Sequence, residues 1–107
     1  MAVIEIDGEN FQEVLQEHLE TYRVVILKFE SQYCDGCIAL GFELEELEES
    51  DEENIAILEI DCADNELVAQ LYNVTRVPAM AIYKNKELIY NGAGVILAAD
   101  ILEMIKE

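Results

Sequence analysis

Cys34-Asp35-Gly36-Cys37 stands where one kind of apolar pattern gives way to another. Before it, Arg23 to Glu30 is a nearly continuous apolar run through Val24, Val25, Ile26, Leu27 and Phe29. Such a run predicts a strand covered on both faces of a sheet. After it, Cys37, Leu40, Leu44 and Leu47 recur at spacings of three and four, which predicts a helix whose other side is almost all glutamate. Both cysteines therefore lie at a strand-to-helix junction. Residues i and i+3 share a helical face, so their Cβ atoms can approach the roughly 3.8 Å of an unstrained disulfide. The first cysteine, at the helix start, faces free amide donors and the positive end of the helix dipole. Both favour a thiolate and lower the Cys34 pKa from the free value of about 8.5.

Working outward, Val3 to Ile6 reads as a short first strand, and Asn10 with Glu13 resembles a capping box for the helix that follows. Phe11, Val14, Leu15 and Leu19 share that helix's inner face, with His18 at its edge. Ile55 to Ile60 is a second β-branched run. Asp64 is expected to cap a short helix through Leu67, Val68 and Leu71. Ala79 to Tyr83 and Glu87 to Tyr90 flank Lys84-Asn85-Lys86, where asparagine suits a left-handed turn residue, and they pair as a hairpin. Gly92 and Gly94 are expected to break its second strand. Leu97, Ala98, Ile101, Leu102 and Ile105 form the stripe of a closing helix. The predicted order is β-α-β-α-β-α-β-β-α, an α/β fold with a central mixed sheet flanked by helices on both faces.

With 107 residues, 52% of them hydrophobic, the chain has material for one core, and residues 1–107 read as one domain. The stretch Met1 to Asp7 lacks the basic segment and long apolar core of a secretory signal or anchor, so a cytoplasmic protein is expected. Acidic residues number 24 against 6 basic ones, a net charge of −18, with a dense acidic run from Glu43 to Glu53. That charge repels phosphate backbones and anionic lipid, so no nucleic acid and no membrane are expected as partners, while basic protein surfaces are attracted. Three cysteines make no structural disulfide framework, and in a reducing compartment a Cys-x-x-Cys pair points to catalysis or metal binding. A zinc site needs a second half, for which only Cys62 and His18 remain, neither in a paired motif.

This order of elements, with Cys-x-x-Cys at the junction and Val77-Pro78 before the hairpin, resembles the thioredoxin family over essentially the full chain. The matching residues are Phe29, Tyr33-Cys34-Asp35-Gly36-Cys37, Ile60-Asp61, Arg76-Val77-Pro78, Tyr83-Lys84-Asn85 and Gly94. The resemblance implies the thioredoxin fold and a redox-active disulfide Cys34-Cys37, with no other cofactor and no metal. Cys34 is then the nucleophile that attacks a substrate disulfide, and Cys37 resolves the mixed disulfide. Pro78 is expected to follow a cis bond, with the backbone of Val77 facing the sulfurs and binding an extended substrate segment. Tyr33, Asp35, Gly36 and Gly94 complete the expected substrate surface. The implied partners are protein disulfides and a reductase that recharges the dithiol, with the chain acting as a monomer.

Several positions depart from the family pattern. Tyr33 and Glu30 replace tryptophans, Asp35-Gly36 replaces Gly-Pro, and Phe42 replaces a helix-kinking proline, so that helix is expected to run straighter. Asp35 sets a negative charge beside Cys34, which opposes the dipole and favours a reductant over a strong oxidant. Lys28 stands where the family buries an acid, and Ile57 where a lysine often accompanies it. Strand alternation puts Lys28 on the face of Ile26 and Glu30, beneath the active-site helix. There its amine either handles the Cys37 proton, or its stem covers core surface while the ammonium reaches water beside Glu30. Cys62 reads as a half-buried thiol or a regulatory one, and His18 as a packed rim imidazole. Three functions remain in view: a protein-disulfide reductase, a docking module for a basic protein on the same fold, and a cysteine pair that shares a metal or iron-sulfur cluster between two copies.

Overall fold

The computed structural model describes residues 3–5, 8–51 and 54–106. Ile6, the expected end of the first strand, and Glu52 and Glu53 of the acidic run lie outside them. Among the described residues ten elements follow in order: β1 (Val3–Glu5), a 3-10 turn (Gly8–Asn10), α1 (Phe11–Thr21), β2 (Val24–Glu30), α2 (Asp35–Ser50), β3 (Ile55–Asp61), α3 (Glu66–Leu71), β4 (Ala79–Lys84), β5 (Glu87–Ala93) and α4 (Ala98–Ile105). The strands form one mixed sheet in the order β1-β3-β2-β4-β5. β1, β3 and β2 are parallel, whereas β4 runs antiparallel to β2 and β5 to β4.

β2 is the middle strand of the five, and its apolar run is divided by alternation between two cores. Val25, Leu27 and Phe29 point to one face, where α1 supplies Phe11 and Leu15, α3 supplies Val68, and Tyr72 follows just after α3. Val24 and Ile26 point to the other, against Leu40, Leu44 and Leu47 of α2 and Ile101 and Ile105 of α4. This two-sided burial is why the run carries almost no polar residue: all seven positions except Glu30 are buried. The hairpin turns at Asn85 and Lys86 with φ of 51° and 70°, the left-handed pair that joins two twisted antiparallel strands.

Four local expectations are corrected. Asn10 makes no side-chain cap, because the 3-10 turn runs straight into α1 and holds Asn10 at φ −111°, ψ 12°. Asp64 does not cap α3: the preceding residue is Asn65, again without a side-chain cap. In α3, Leu67 and Leu71 are exposed while Val68 and Ala69 are buried; Leu97 lies just before α4 and is exposed, as is Leu102 within it, while Ala98, Ile101 and Ile105 are buried. Gly92 does not break β5, which runs on to Ala93; the left-handed residue is Gly94, at φ 108°. α2, with Phe42 at the expected kink position, is one uninterrupted helix from Asp35 to Ser50.

Candidate active site

The central strand β2 ends at Glu30, and Ser31 to Tyr33 turn the chain into α2. Tyr33 sits at φ 57°, a conformation that bulky residues rarely adopt, and its side chain is wholly exposed beside Cys34. Cys34 occupies the N-cap of α2 in an extended conformation. Its sulfur accepts a hydrogen bond from the Cys37 amide at 3.1 Å, which satisfies one of the free donors at the helix start. Cys34 and Cys37 are joined as a disulfide with their Cα atoms 5.2 Å apart, inside the range that such bridges span. Their surroundings differ: Cys34 is partly exposed, whereas Cys37 is only 5% exposed.

Residues distant in sequence meet here. The Val77–Pro78 bond is cis. A Cβ built on Gly36 would lie 2.9 Å from Pro78 Cδ and 3.9 Å from Val95 Cγ2, so Pro78 packs directly on the Gly36 backbone and a side chain there would require one of them to shift. The Gly94 amide donates to the Pro78 carbonyl at 2.8 Å, holding the end of β5 against the same proline. The geometry thus brings Gly36, Pro78 and Gly94 together, with Val77 half-buried against the α1/α3 core. Asp35 is exposed in the first turn of α2. Val95 is a member of this cluster that pattern reading missed, since a single exposed valine after Gly94 carries no periodic signal.

Beneath the disulfide, a hollow of about 160 Å³ is lined by Lys28, Glu30, Ser31, Tyr33, Cys34, Cys37 and Ile38. Lys28 is 6% exposed. Its Nζ lies 2.8 Å from Glu30 Oε1 and 3.6 Å from Glu59 Oε2, on the neighbouring strand at the register position opposite Lys28. The expected pairing with Glu30 is therefore present, but the ammonium does not extend into water. It passes under α2 at Gly41, where a Cβ would stand 3.2 Å from Nζ. A glycine in a helix interior costs about 1 kcal/mol relative to alanine, and at this one a side chain would press on the Lys28 amine.

Cys62 packs against the α1/α3 core, on the sheet face opposite α2, and its amide donates to the Glu30 carbonyl at 2.9 Å. Burial first, and then the neighbouring Asp61 carboxylate, push its thiol pKa up, which keeps it protonated and a poor nucleophile near neutral pH. His18 is occupied locally: Nδ1 bonds the Val14 carbonyl at 2.8 Å, and the ring stacks on Tyr22. Among the described residues, no three His, Cys, Asp or Glu side chains gather as a metal ion would require, and no helix is long and apolar enough to cross a membrane.

Comparison with known proteins agrees with this geometry. The family model for thioredoxin matches residues 2–107. Thioredoxin of Buchnera aphidicola from Acyrthosiphon pisum is 22% identical over 105 residues, covering 98% of this chain and 94% of its own. A thioredoxin-like protein of Synechocystis is 24% identical over 107 residues, covering 100% and 95%. A variant of Halobacterium salinarum thioredoxin has a structure that superposes with a TM-score of 0.81 at 23% identity, covering 97% of this chain and 88% of that one; at that identity the likeness speaks for the fold. Together with the bridged Cys34–Cys37 pair, these matches support thiol-disulfide oxidoreductase chemistry in general. By a family match that spans nearly its whole length, this chain belongs to the thioredoxin family.

Proposed function

We propose that this protein reduces disulfides in other proteins through the Cys34/Cys37 dithiol. The observation that carries the reading is the asymmetry of the pair: Cys34 is accessible at the N-cap and its sulfur accepts the Cys37 amide, while Cys37 is shielded behind it. In the reduced state the Cys34 thiolate attacks one sulfur of a substrate disulfide, forms a mixed disulfide and releases one substrate thiolate. Cys37 then loses its proton and attacks Cys34 Sγ, which re-forms the internal disulfide and releases the second thiolate. The dithiol gives up two electrons, and a reductase restores them. An extended substrate segment lies along Tyr33, Asp35, Gly36, Val77, Pro78 and Gly94, and a net charge of −18 selects substrates and a reductase with basic surfaces.

Alkylation of the reduced protein by iodoacetamide near pH 7, read by peptide mass spectrometry, tests the assignment. Cys34 is expected to label first, and Cys62, whose pKa is raised, to label slowly until the solution is well alkaline. Faster labelling of Cys37 or Cys62 would reverse the roles. Turnover of a protein disulfide by the same preparation is the companion measurement.

Lys28 acts on Cys37 as a positioning residue. Its buried ammonium lines the hollow shared with both sulfurs, and a positive charge there favours the Cys37 thiolate during resolution. Lys28→Met keeps most of the stem and removes the charge. The variant removes the cation shared by Glu30 and Glu59 and leaves both carboxylates in place, which costs stability, so its folded state is checked first by circular dichroism. Release of the mixed disulfide is therefore expected to slow severalfold, with the rate of first attack by Cys34 unchanged. Equal release rates from pH 6 to 8, on the order of one pKa unit either side of neutrality, would leave Lys28 as packing alone.

A further inference from the structure

A second hollow opens on the flank of α2, away from Pro78. It measures about 280 Å³ and is lined by Lys28, Ile38, Gly41, Phe42, Leu44, Glu45, Glu48, Ile57 and Glu59. Leu44 and Ile57 are buried, and Ile38 and Phe42 stand at 60% and 67% exposure, one helical turn apart. Gly41 lies between them and supplies no side chain to fill the space. The volume falls just under the roughly 300–1,000 Å³ of small-molecule sites, which fits one large apolar side chain better than a free ligand. Around it the charge is predominantly negative: Lys28 is paired with Glu30 and Glu59, Glu45 and Glu48 belong to the lining, and Glu46 and Glu49 are exposed farther along α2.

We propose that this flank docks a protein segment that inserts one large apolar side chain, aromatic or leucine-like, between Ile38 and Phe42 and places lysine or arginine on either side of it, against Glu45 and the acidic face of α2. Charge complementarity selects this occupant. A second copy of the chain brings another −18 charges to an already acidic face, and an anionic lipid surface is repelled for the same reason. This hollow adjoins the one at the disulfide, with which it shares Lys28 and Ile38, but Tyr33, Cys34 and Pro78 are not part of its lining, and the docking stands or falls independently of the redox reading.

The test is a heteronuclear NMR titration of the full oxidised chain with a capped pentapeptide of one central phenylalanine flanked by lysines and arginines. Saturable shifts are expected at Ile38, Gly41, Phe42, Glu45, Ile57 and Glu59. Affinity should drop about tenfold or more when the central residue is alanine, and binding should vanish when the flanking residues are glutamates. Gly41→Leu, which fills the hollow from α2, is expected to abolish the effect. Should that variant fold poorly, Phe42→Asn, at an exposed position, is expected to weaken binding at least about fivefold. Shifts spread over the acidic surface and indifferent to the central residue would overturn the proposal, as would shifts confined to Cys34 and Pro78. Concentration-dependent broadening at Ile38 and Phe42 without peptide would assign the flank to a second copy instead.

Discussion

Cys37→Ser is expected to turn a protein that cycles into one that stays bound to what it attacks. Cys34 keeps its place at the N-cap and its hydrogen bond from the backbone amide of residue 37, which the substitution does not touch. The first attack should therefore proceed at close to the normal rate. No second thiol is then at hand: among the remaining cysteines only Cys62 is free, and it lies on the opposite face of the sheet with its pKa raised by burial. The mixed disulfide should accumulate toward one adduct per chain, turnover should fall to the uncatalysed background, and added dithiothreitol should release the adduct. Non-reducing electrophoresis and mass spectrometry of the trapped species are the measurements. Undiminished disulfide reduction by this variant would mean that the second cysteine is dispensable and that the two-thiol cycle is wrong.

The largest effect on stability is expected at Phe29. Its side chain is fully buried, packs against Tyr72 with ring centroids 5.5 Å apart, and belongs to the α1/α3 core. In the sheet it stands opposite Ile60 on one side and Ala79 on the other, so it sits where the central strand meets the residue after Pro78. Removing a buried phenylalanine costs about 3–5 kcal/mol, because the transfer energy of the ring is lost and the cavity collapses only partly. Against a total stability of about 5–15 kcal/mol for a domain of this kind, that is a large share. Phe29→Ala should lower the urea midpoint by more than roughly 1 M with little change in slope. An unchanged midpoint would show that Tyr72 and its neighbours refill the space.

Where the sequence was legible, the reason is that a local signal and the tertiary environment agree. β2 reads as a two-sided strand because it is one, and the Cys-x-x-Cys spacing is diagnostic because both cysteines belong to the first turn of a helix. The turn at Asn85 is similarly self-announcing, since few residues tolerate its backbone angles. The misplaced faces have a common cause. α3 is six residues long, too short for periodicity to distinguish Leu67 and Leu71 from Val68 and Ala69, and the sheet selects the latter pair. The same holds for Leu97, which lies just before α4 rather than in it. The position of Lys28 could be inferred from alternation, but its second acidic neighbour, Glu59, required the register of β3 on β2. The meeting of Gly36 with Pro78, 42 positions apart, carries no signal in the local pattern, and only the family resemblance put the two on one surface.

α4 begins without a capping side chain of its own, since Leu97 has none to offer. The amide of Ala98 is instead satisfied by Glu43 Oε1 of α2, at 2.9 Å and 55 positions earlier in the chain. The last helix is thus started by a group already fixed in place on another element, and its first turn has no local reason to persist until α2 has docked on the sheet. A segment of eight residues is too short to hold helical form alone in water. Its order is borrowed from the helix that carries the cysteines, and α2 and α4 should open and close as a single cooperative layer.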